Sequence, residues 1–146
     1  MAVEKLRWYA LRWKIELFHK ILKSGCRAEE ARLRAAERLV KPIAVMCILS
    51  WRVFWMTMLN RSDPQAEPAF VLTEHEITLL DHLVPDKAPR LPRGRTLALY
   101  LTKIARLGGY LARASDPPPG NIVMWRGWSR LADIMIGVEL AERRCG

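Results

Sequence analysis

The stretch KLRWYALRWKIELFHKILK, residues 5–23, contains neither glycine nor proline and repeats apolar residues at helical spacing. Ser24 and Gly25 follow it as a natural helix stop. The apolar residues on one side predict a surface that faces a protein core; they are Trp8, Leu11, Ile15, Phe18 and Leu22. The stretch therefore predicts one long amphipathic helix.

The opposite side of this predicted helix carries functional polar side chains. At ~100° per residue, five of them fall within about 80° of one another: Tyr9, Arg12, Glu16, Lys20 and Lys23. A carboxylate among cations either forms ordinary i,i+4 ion pairs in water or helps to hold a divalent metal beside a phosphate that the cations bind. Periodicity alone leaves both interpretations open.

The next segments are also predicted to be helical. Residues Ala28–Leu39 are strong helix formers, and Pro42 is positioned to begin a second helix after a bend. The most apolar stretch, Ile43–Leu59, predicts either a buried core helix or a membrane span. Arg52 within it favours the buried helix, because a charge is costly inside a bilayer.

Three further helices are predicted in the C-terminal half. Thr73 and Glu76 form a capping box for a helix that ends at Leu83. Two more helices are predicted at Thr96–Ala114 and Val123–Arg144. Proline-containing breaks separate these elements, at residues 60–68, 85–95 and 115–121. Because no usable stretch alternates with period two, the predicted fold class is all-α.

Charge and cysteine usage narrow the class of protein. The formal charge of +9 and the pI near 10.0 favour an anionic partner such as nucleic acid or an acidic membrane surface. The three cysteines are far apart and form no zinc or disulfide pattern, which is typical of reduced thiols in a cytoplasmic protein. The N-terminal residues lack the apolar core of a secretory signal.

The order of the polar residues adds a resemblance. Tyr9-x2-Arg12-x3-Glu16-x6-Lys23 resembles the Y-x2-R-x3-E-x6-K signature of one group of DDE transposases from bacterial insertion sequences. RWKIELFHKILKSG at 12–25 is similar to that family's catalytic helix, and IARLGG at 104–109 and MWRGW at 124–128 are similar to its C-terminal region. The resemblance covers most of the chain and is weakest over residues 28–72.

The resemblance implies a cut-and-paste transposase with an RNase H-like catalytic domain, in which two aspartates and one glutamate hold two magnesium ions for phosphoryl transfer. Glu16 matches that glutamate, and so has the implied catalytic and metal-binding role. Tyr9, Arg12 and Lys23 are then expected to contact transposon-end DNA phosphates, with Lys20 and Trp13 as additional DNA contacts.

The two family aspartates precede the glutamate, whereas the first aspartate here, Asp63, follows it. We therefore expect this chain to be the C-terminal part of a transposase, which cannot assemble the magnesium site by itself. Whether the chain is an enzyme is left open. Residues 1–60 would end the catalytic domain, 61–95 would form a loop, a short helix and a basic linker, and 96–146 would be a helical dimerisation region. Without the family's strands, Trp8, Leu11 and Phe18 would form an exposed patch.

In the last predicted helix, apolar residues recur at 3, 4, 3 spacing, as in a helix-helix seam: Trp128, Leu131, Met135 and Val138. A core helix within one chain has the same pattern. The resemblance favours a homodimer, or an inhibitory dimer with a full-length transposase.

Three further sequence features each have two interpretations, and so does the function of the whole protein. His75 and His82 are metal ligands or, in the favoured interpretation, surface side chains. The six tryptophans pack in a core or stack on bases. The basic linker follows DNA phosphates or is solvated, through Lys87, Arg90, Arg93 and Arg95. The alternative to the transposase hypothesis is a basic helical membrane-associated protein.

Overall fold

The structure, a computed structural model, describes residues 2–25, 36–85, 94–113 and 115–145, and most of these residues are helical. These ranges contain no strand, so the all-α prediction is confirmed for them. Their α-helices are, in chain order, α1 (Ala2–Ala10), α2 (Arg12–Lys20), α3 (Ala36–Ser62), α4 (Glu74–Leu83), α5 (Leu97–Leu107) and α6 (Asn121–Cys145). A π turn spans Ile21–Gly25 and a 3₁₀ turn spans Pro68–Phe70.

The chain divides into two compact units, and the division falls inside α3. The N-terminal unit spans Met1–Phe54 and the C-terminal unit spans Trp55–Gly146.

The predicted single helix over residues 5–23 is interrupted at Leu11. The N–H of Leu11 donates to the Trp8 carbonyl and the N–H of Lys14 donates to the Leu11 carbonyl, both at 3.0 Å. This three-residue spacing tightens the chain between α1 and α2. The π turn after α2 ends at Gly25, where the sequence predicts the stop. No glycine or proline marks Leu11, so residue propensity could not have located the break.

Pro42 lies inside α3, so the predicted bend and new helix at this proline are wrong. Proline lacks the N–H that would bond to the preceding turn, and it costs a helix interior about 3 kcal/mol. Pro42 is in the second turn of α3, where it removes a single bond from a helix of 27 residues. The portion of the predicted 28–39 helix before Ala36 lies outside the described residues.

The side of residues 5–23 that was predicted to face a core is largely exposed. Trp8, Leu11 and Ile15 are 73%, 51% and 62% exposed, so the prediction is wrong for them. Phe18 is half-buried, and its ring meets that of Phe54 edge-on at 6.5 Å between centroids. An apolar stripe is buried only where another element covers it, and α3 does this near the end of α2. The exposure agrees with the expected apolar patch at Trp8 and Leu11 but not at Phe18.

In the C-terminal unit, α5 packs along α6, and α4 contacts both helices. The apolar side chains at their junction are buried: Ile77 and Leu80 from α4, Leu97, Leu101 and Ile104 from α5, and Met124, Trp128 and Leu131 from α6. The predicted capping box is confirmed, because the Thr73 hydroxyl accepts from the Glu76 N–H and the Glu76 carboxylate accepts from the Thr73 N–H.

α5 ends at Leu107 instead of continuing to Ala114 as predicted. Gly109 adopts a φ of 98°, and the N–H groups of Gly109 and Tyr110 donate to the carbonyls of Arg106 and Ala105. This Schellman motif satisfies the carbonyls at the helix end and stops the helix. Gly108 also lies against the α6 backbone, where a Cβ would clash with the Val123 carbonyl.

Candidate nucleic-acid interface

One open groove in the N-terminal unit contains four of the six residues predicted for catalysis or DNA contact. It has a volume of about 630 Å³ and is formed by α2 and the π turn. The described residues that line it are Arg12, Ile15, Glu16, His19, Lys20, Lys23 and Ser24. Four of the five polar residues that share one side of the predicted helix therefore meet in one concave surface. Three of these four are cations, so the groove suits an anion.

Glu16 is tied to Arg12 within this groove. The Arg12 guanidinium lies 2.9 Å from the Glu16 carboxylate, and both side chains are about 60% exposed (60% and 59%). An exposed i,i+4 pair of this kind stabilises a helix by only a few tenths of a kcal/mol. The structure therefore contains the i,i+4 ion pair that one interpretation of the stripe predicts. The Arg12 and Glu16 side chains remain accessible to a ligand.

Tyr9 and Trp13, the other predicted DNA contacts, stand apart from the groove lining. The Tyr9 ring lies under the Arg12 guanidinium, 5.2 Å from ring centroid to carbon, so Tyr9 orients a groove cation. Trp13 is 43% exposed and is not among the described residues that line the groove. The groove also includes His19, together with Ile15, which the sequence predicted to face a core, and Ser24, which it predicted only as part of the helix stop. The i,i+4 positions of Ile15, His19 and Lys23 are the signal that could have found them.

The groove by itself does not make a magnesium site. Magnesium is held by oxygen ligands, usually one or two carboxylates together with substrate phosphates. Of the described residues that line the groove, only Glu16 supplies a carboxylate, and it is paired with Arg12. Over the described part of the chain, no three His, Cys, Asp or Glu side chains come together at one point. The donor set fits phosphate better than metal, so we derive no catalytic step for this chain.

A second polar cluster, which sequence reasoning missed, links α4 and α5. The Lys103 side chain is 1% exposed, and its ammonium donates to an Asp81 carboxylate oxygen at 2.6 Å. The Tyr100 hydroxyl donates to the other Asp81 oxygen at 3.0 Å. The signal was a lysine between the apolar positions 101 and 104 of a helix, which requires a partner if it is buried.

These contacts shift the pKa values of the cluster in opposite directions. Burial alone raises the pKa of Asp81, but hydrogen bonds from Lys103 and Tyr100 and the positive charges of Lys103 and Arg95 hold it below its ordinary value. Burial raises the pKa of Tyr100, and its hydrogen bond to Asp81 adds to this effect while Arg95 opposes it. The cluster therefore keeps an ionised carboxylate against a buried ammonium, as a structural element.

The predicted dimerisation seam divides between the core and the surface. Trp128 and Leu131 are 5% and 0% exposed within this chain, as the alternative of an intrachain core helix requires. Met135 and Val138 are half-buried, and Ile136 and Leu140 beside them are exposed. Of the four predicted seam residues, only the two in the second half of α6, Met135 and Val138, are accessible to a partner.

The remaining candidates are at the surface or outside the described residues. His75 and His82 are both exposed, and a ring nitrogen of His82 lies 2.8 Å from the Thr78 carbonyl oxygen. In the basic linker, Lys87, Arg90 and Arg93 lie outside the described residues, whereas the Arg95 guanidinium is 3.8 Å from the Glu74 carboxylate.

No protein-family model matches the sequence.

Proposed function

We propose that this chain is the C-terminal part of a DDE-type transposase and that it binds DNA phosphates in the groove of α2. The observation that carries the proposal is the meeting of Arg12, Lys20 and Lys23 in one exposed concave surface around Glu16. Side chains of this kind position a DNA strand through its phosphates and do not read its sequence. The charge of +9 supports the same partner.

DNA binding is tested with the full chain and a fluorescent 20-base-pair duplex of random sequence, read by polarisation at several salt concentrations. Arg12→Ala, Lys20→Ala and Lys23→Ala should each weaken binding and lower the salt slope by about 1, because each removes one phosphate contact. Arg126→Ala, which removes an exposed cation of α6, is the control and should leave the slope unchanged. Equal effects of all four variants would mean that binding is not localised to the groove.

In the complete enzyme, Glu16 would act as one of three carboxylates that hold magnesium for strand cleavage and transfer. The test supplies the upstream region with its two aspartates and measures magnesium-dependent cleavage of transposon-end DNA. Glu16→Gln should abolish cleavage and preserve DNA binding, because the amide keeps the shape and loses the charge. Cleavage that persists in Glu16→Gln would refute the catalytic role and leave the phosphate-binding role standing.

The exposed half of α6 is the proposed contact with a second copy or with a full-length transposase. Co-expression of this chain should lower transposition by the intact enzyme through inactive mixed dimers. Met135→Asp with Val138→Asp should relieve that inhibition, since both side chains are half-buried and lie beyond the core. Unchanged transposition in the first experiment would argue against the inhibitory role.

A membrane-associated protein is the second candidate function, and α3 favours it. Residues Arg38–Ser62 have a mean hydropathy of 1.6 in their most apolar window, and only 22% of that window is buried. The helix is long and apolar enough to cross a bilayer by length and composition alone. Cell fractionation tests this candidate: a chain found entirely in the soluble fraction would rule it out.

A further inference from the structure

All side chains of α1 that the structure describes are exposed. Every side chain from Val3 to Ala10, and Leu11 after it, lies at the surface. A nine-residue helix is marginal in water, because most helical stability in proteins comes from packing one face against another element. The described residues of this unit leave α1 uncovered, so its apolar side chains are open to a ligand.

Trp8 of α1, Leu11 and Ile15 of α2 form a narrow apolar stripe, and Glu4 lies at its N-terminal end. At ~100° per residue, Trp8, Leu11 and Ile15 fall within about 60° of one another, and they are 73%, 51% and 62% exposed. Cations border the stripe on both sides, with Lys5 and Arg12 along one edge and Arg7 and Lys14 along the other. An apolar stripe that contains tryptophan and is bordered by Lys and Arg is typical of helices that lie in a membrane interface.

Charge decides which occupant fits this stripe. A second copy of the chain would bring the same cations to both edges of the stripe, so the two copies would repel each other. DNA would satisfy the cations and leave the apolar side chains in water. An anionic lipid surface satisfies both, because its headgroups attract the cations and its acyl boundary accepts Trp8 and Leu11.

We propose that α1 and the first turn of α2 lie flat on anionic membranes, with the stripe of Trp8, Leu11 and Ile15 in the acyl boundary and Lys5 and Arg7 at the headgroup phosphates. This surface goes beyond the proposed DNA-binding function. It shares Ile15 and Arg12 with the groove, whereas Trp8, Leu11 and Lys5 belong only to the stripe and Lys20 and Lys23 only to the groove. Substitutions at these unshared residues therefore test the two proposals separately.

The test uses the full chain and vesicles of phosphatidylcholine alone or mixed with phosphatidylglycerol, separated by flotation so that aggregated protein does not count as bound. Binding should require phosphatidylglycerol. Leu11→Glu should lower vesicle binding at least about tenfold more than Leu6→Glu, because Leu6 is exposed on the opposite side of α1. The tryptophan emission should shift to the blue on binding, and Trp8→Phe should reduce that shift.

Equal losses in Leu11→Glu and Leu6→Glu would overturn the proposed orientation, and equal binding to both vesicle types would overturn the role of the cations. If the chain self-associates without lipid and Leu11→Glu abolishes that association, the stripe is a contact with a second copy instead. Both variants should bind the random-sequence duplex equally well, since neither residue lines the groove. If neither the wild-type chain nor its variants bind DNA while the wild-type chain still binds vesicles, only the proposed DNA-binding function is refuted.

Discussion

The two units carry similar apolar periodicity and bury it to different extents. In the C-terminal unit, α4, α5 and α6 meet, and Leu80, Ile104 and Leu131 are fully buried. In the N-terminal unit, Trp8 and Ile15 keep most of their surface exposed. Apolar spacing therefore predicts which side of a helix can be buried, and burial follows only where other helices cover that side. The C-terminal unit therefore buries the apolar side of its helices, and the N-terminal unit leaves much of its apolar side open to a ligand.

The largest expected effect is on the free energy of unfolding, and it should differ between two apolar positions of α6. Leu131 is 0% exposed and Ile136 is 57% exposed. Leu131→Ala should lower the free energy of unfolding by roughly 2–5 kcal/mol because it opens a cavity in the core. Ile136→Ala should change it by less than about 0.5 kcal/mol. Urea unfolding measures both, and a similar cost for the two variants would contradict the assignment of Leu131 to the core of this chain.

A second comparison uses two glycines of the same helix. A Cβ on Gly127 would meet the Ile104 carbonyl of α5, whereas a Cβ on Gly137 would meet nothing within 4 Å. Gly127→Ala should therefore destabilise the C-terminal unit by about 1–3 kcal/mol through overpacking. Gly137→Ala should stabilise it by about 0.5–1 kcal/mol, since alanine favours the helix. Thermal unfolding should show shifts of opposite sign, and shifts of the same sign would exclude the close crossing of α5 and α6.

The Asp81 cluster should give the C-terminal unit a specific pH dependence. The pKa of Asp81 is lowered in the folded chain, so its contribution to stability is present above the unfolded pKa of about 3.9 and is lost as the pH falls through the lower folded value. Asp81→Asn should destabilise by about 1–2 kcal/mol at pH 7, because Lys103 loses a charged hydrogen-bond partner.

Unfolding measured between pH 7 and pH 2 checks this point. The difference between wild-type and Asp81→Asn should shrink below about pH 4. Exposed Asp63 offers the matched control, and Asp63→Asn should not reproduce that convergence.

The smallest expected effect is in the N-terminal unit. Glu16→Gln removes an exposed ion pair with Arg12, so the free energy of unfolding should change by less than about 0.5 kcal/mol. Calorimetry on both proteins measures this difference. A loss above about 2 kcal/mol would mean that Glu16 supports the fold, and a loss of DNA cleavage could then no longer be attributed to its chemistry.

The sequence predicts those structural features that depend only on residues close together in the chain. The capping box of Thr73 and Glu76 is such a case, since its hydrogen bonds join residues three positions apart. The stop at Gly25 and the stripe of Arg12, Glu16, Lys20 and Lys23 follow from short spacing in the same way. Gly109 was misjudged because a glycine within a periodic stretch is compatible with either a continued helix or a Schellman end.

The sequence by itself determined that the described chain is helical, that its charge favours an anionic partner, and that the cations of residues 12–23 share one side. The tertiary structure alone decided which apolar stripes are covered, and it gave Trp128 and Leu131 to the core while leaving Trp8 and Ile15 exposed. The physical reason is that helix formation and side-chain direction depend on neighbours within about four residues. Burial depends on segments far apart in the chain, as does the pairing of Lys103 with Asp81.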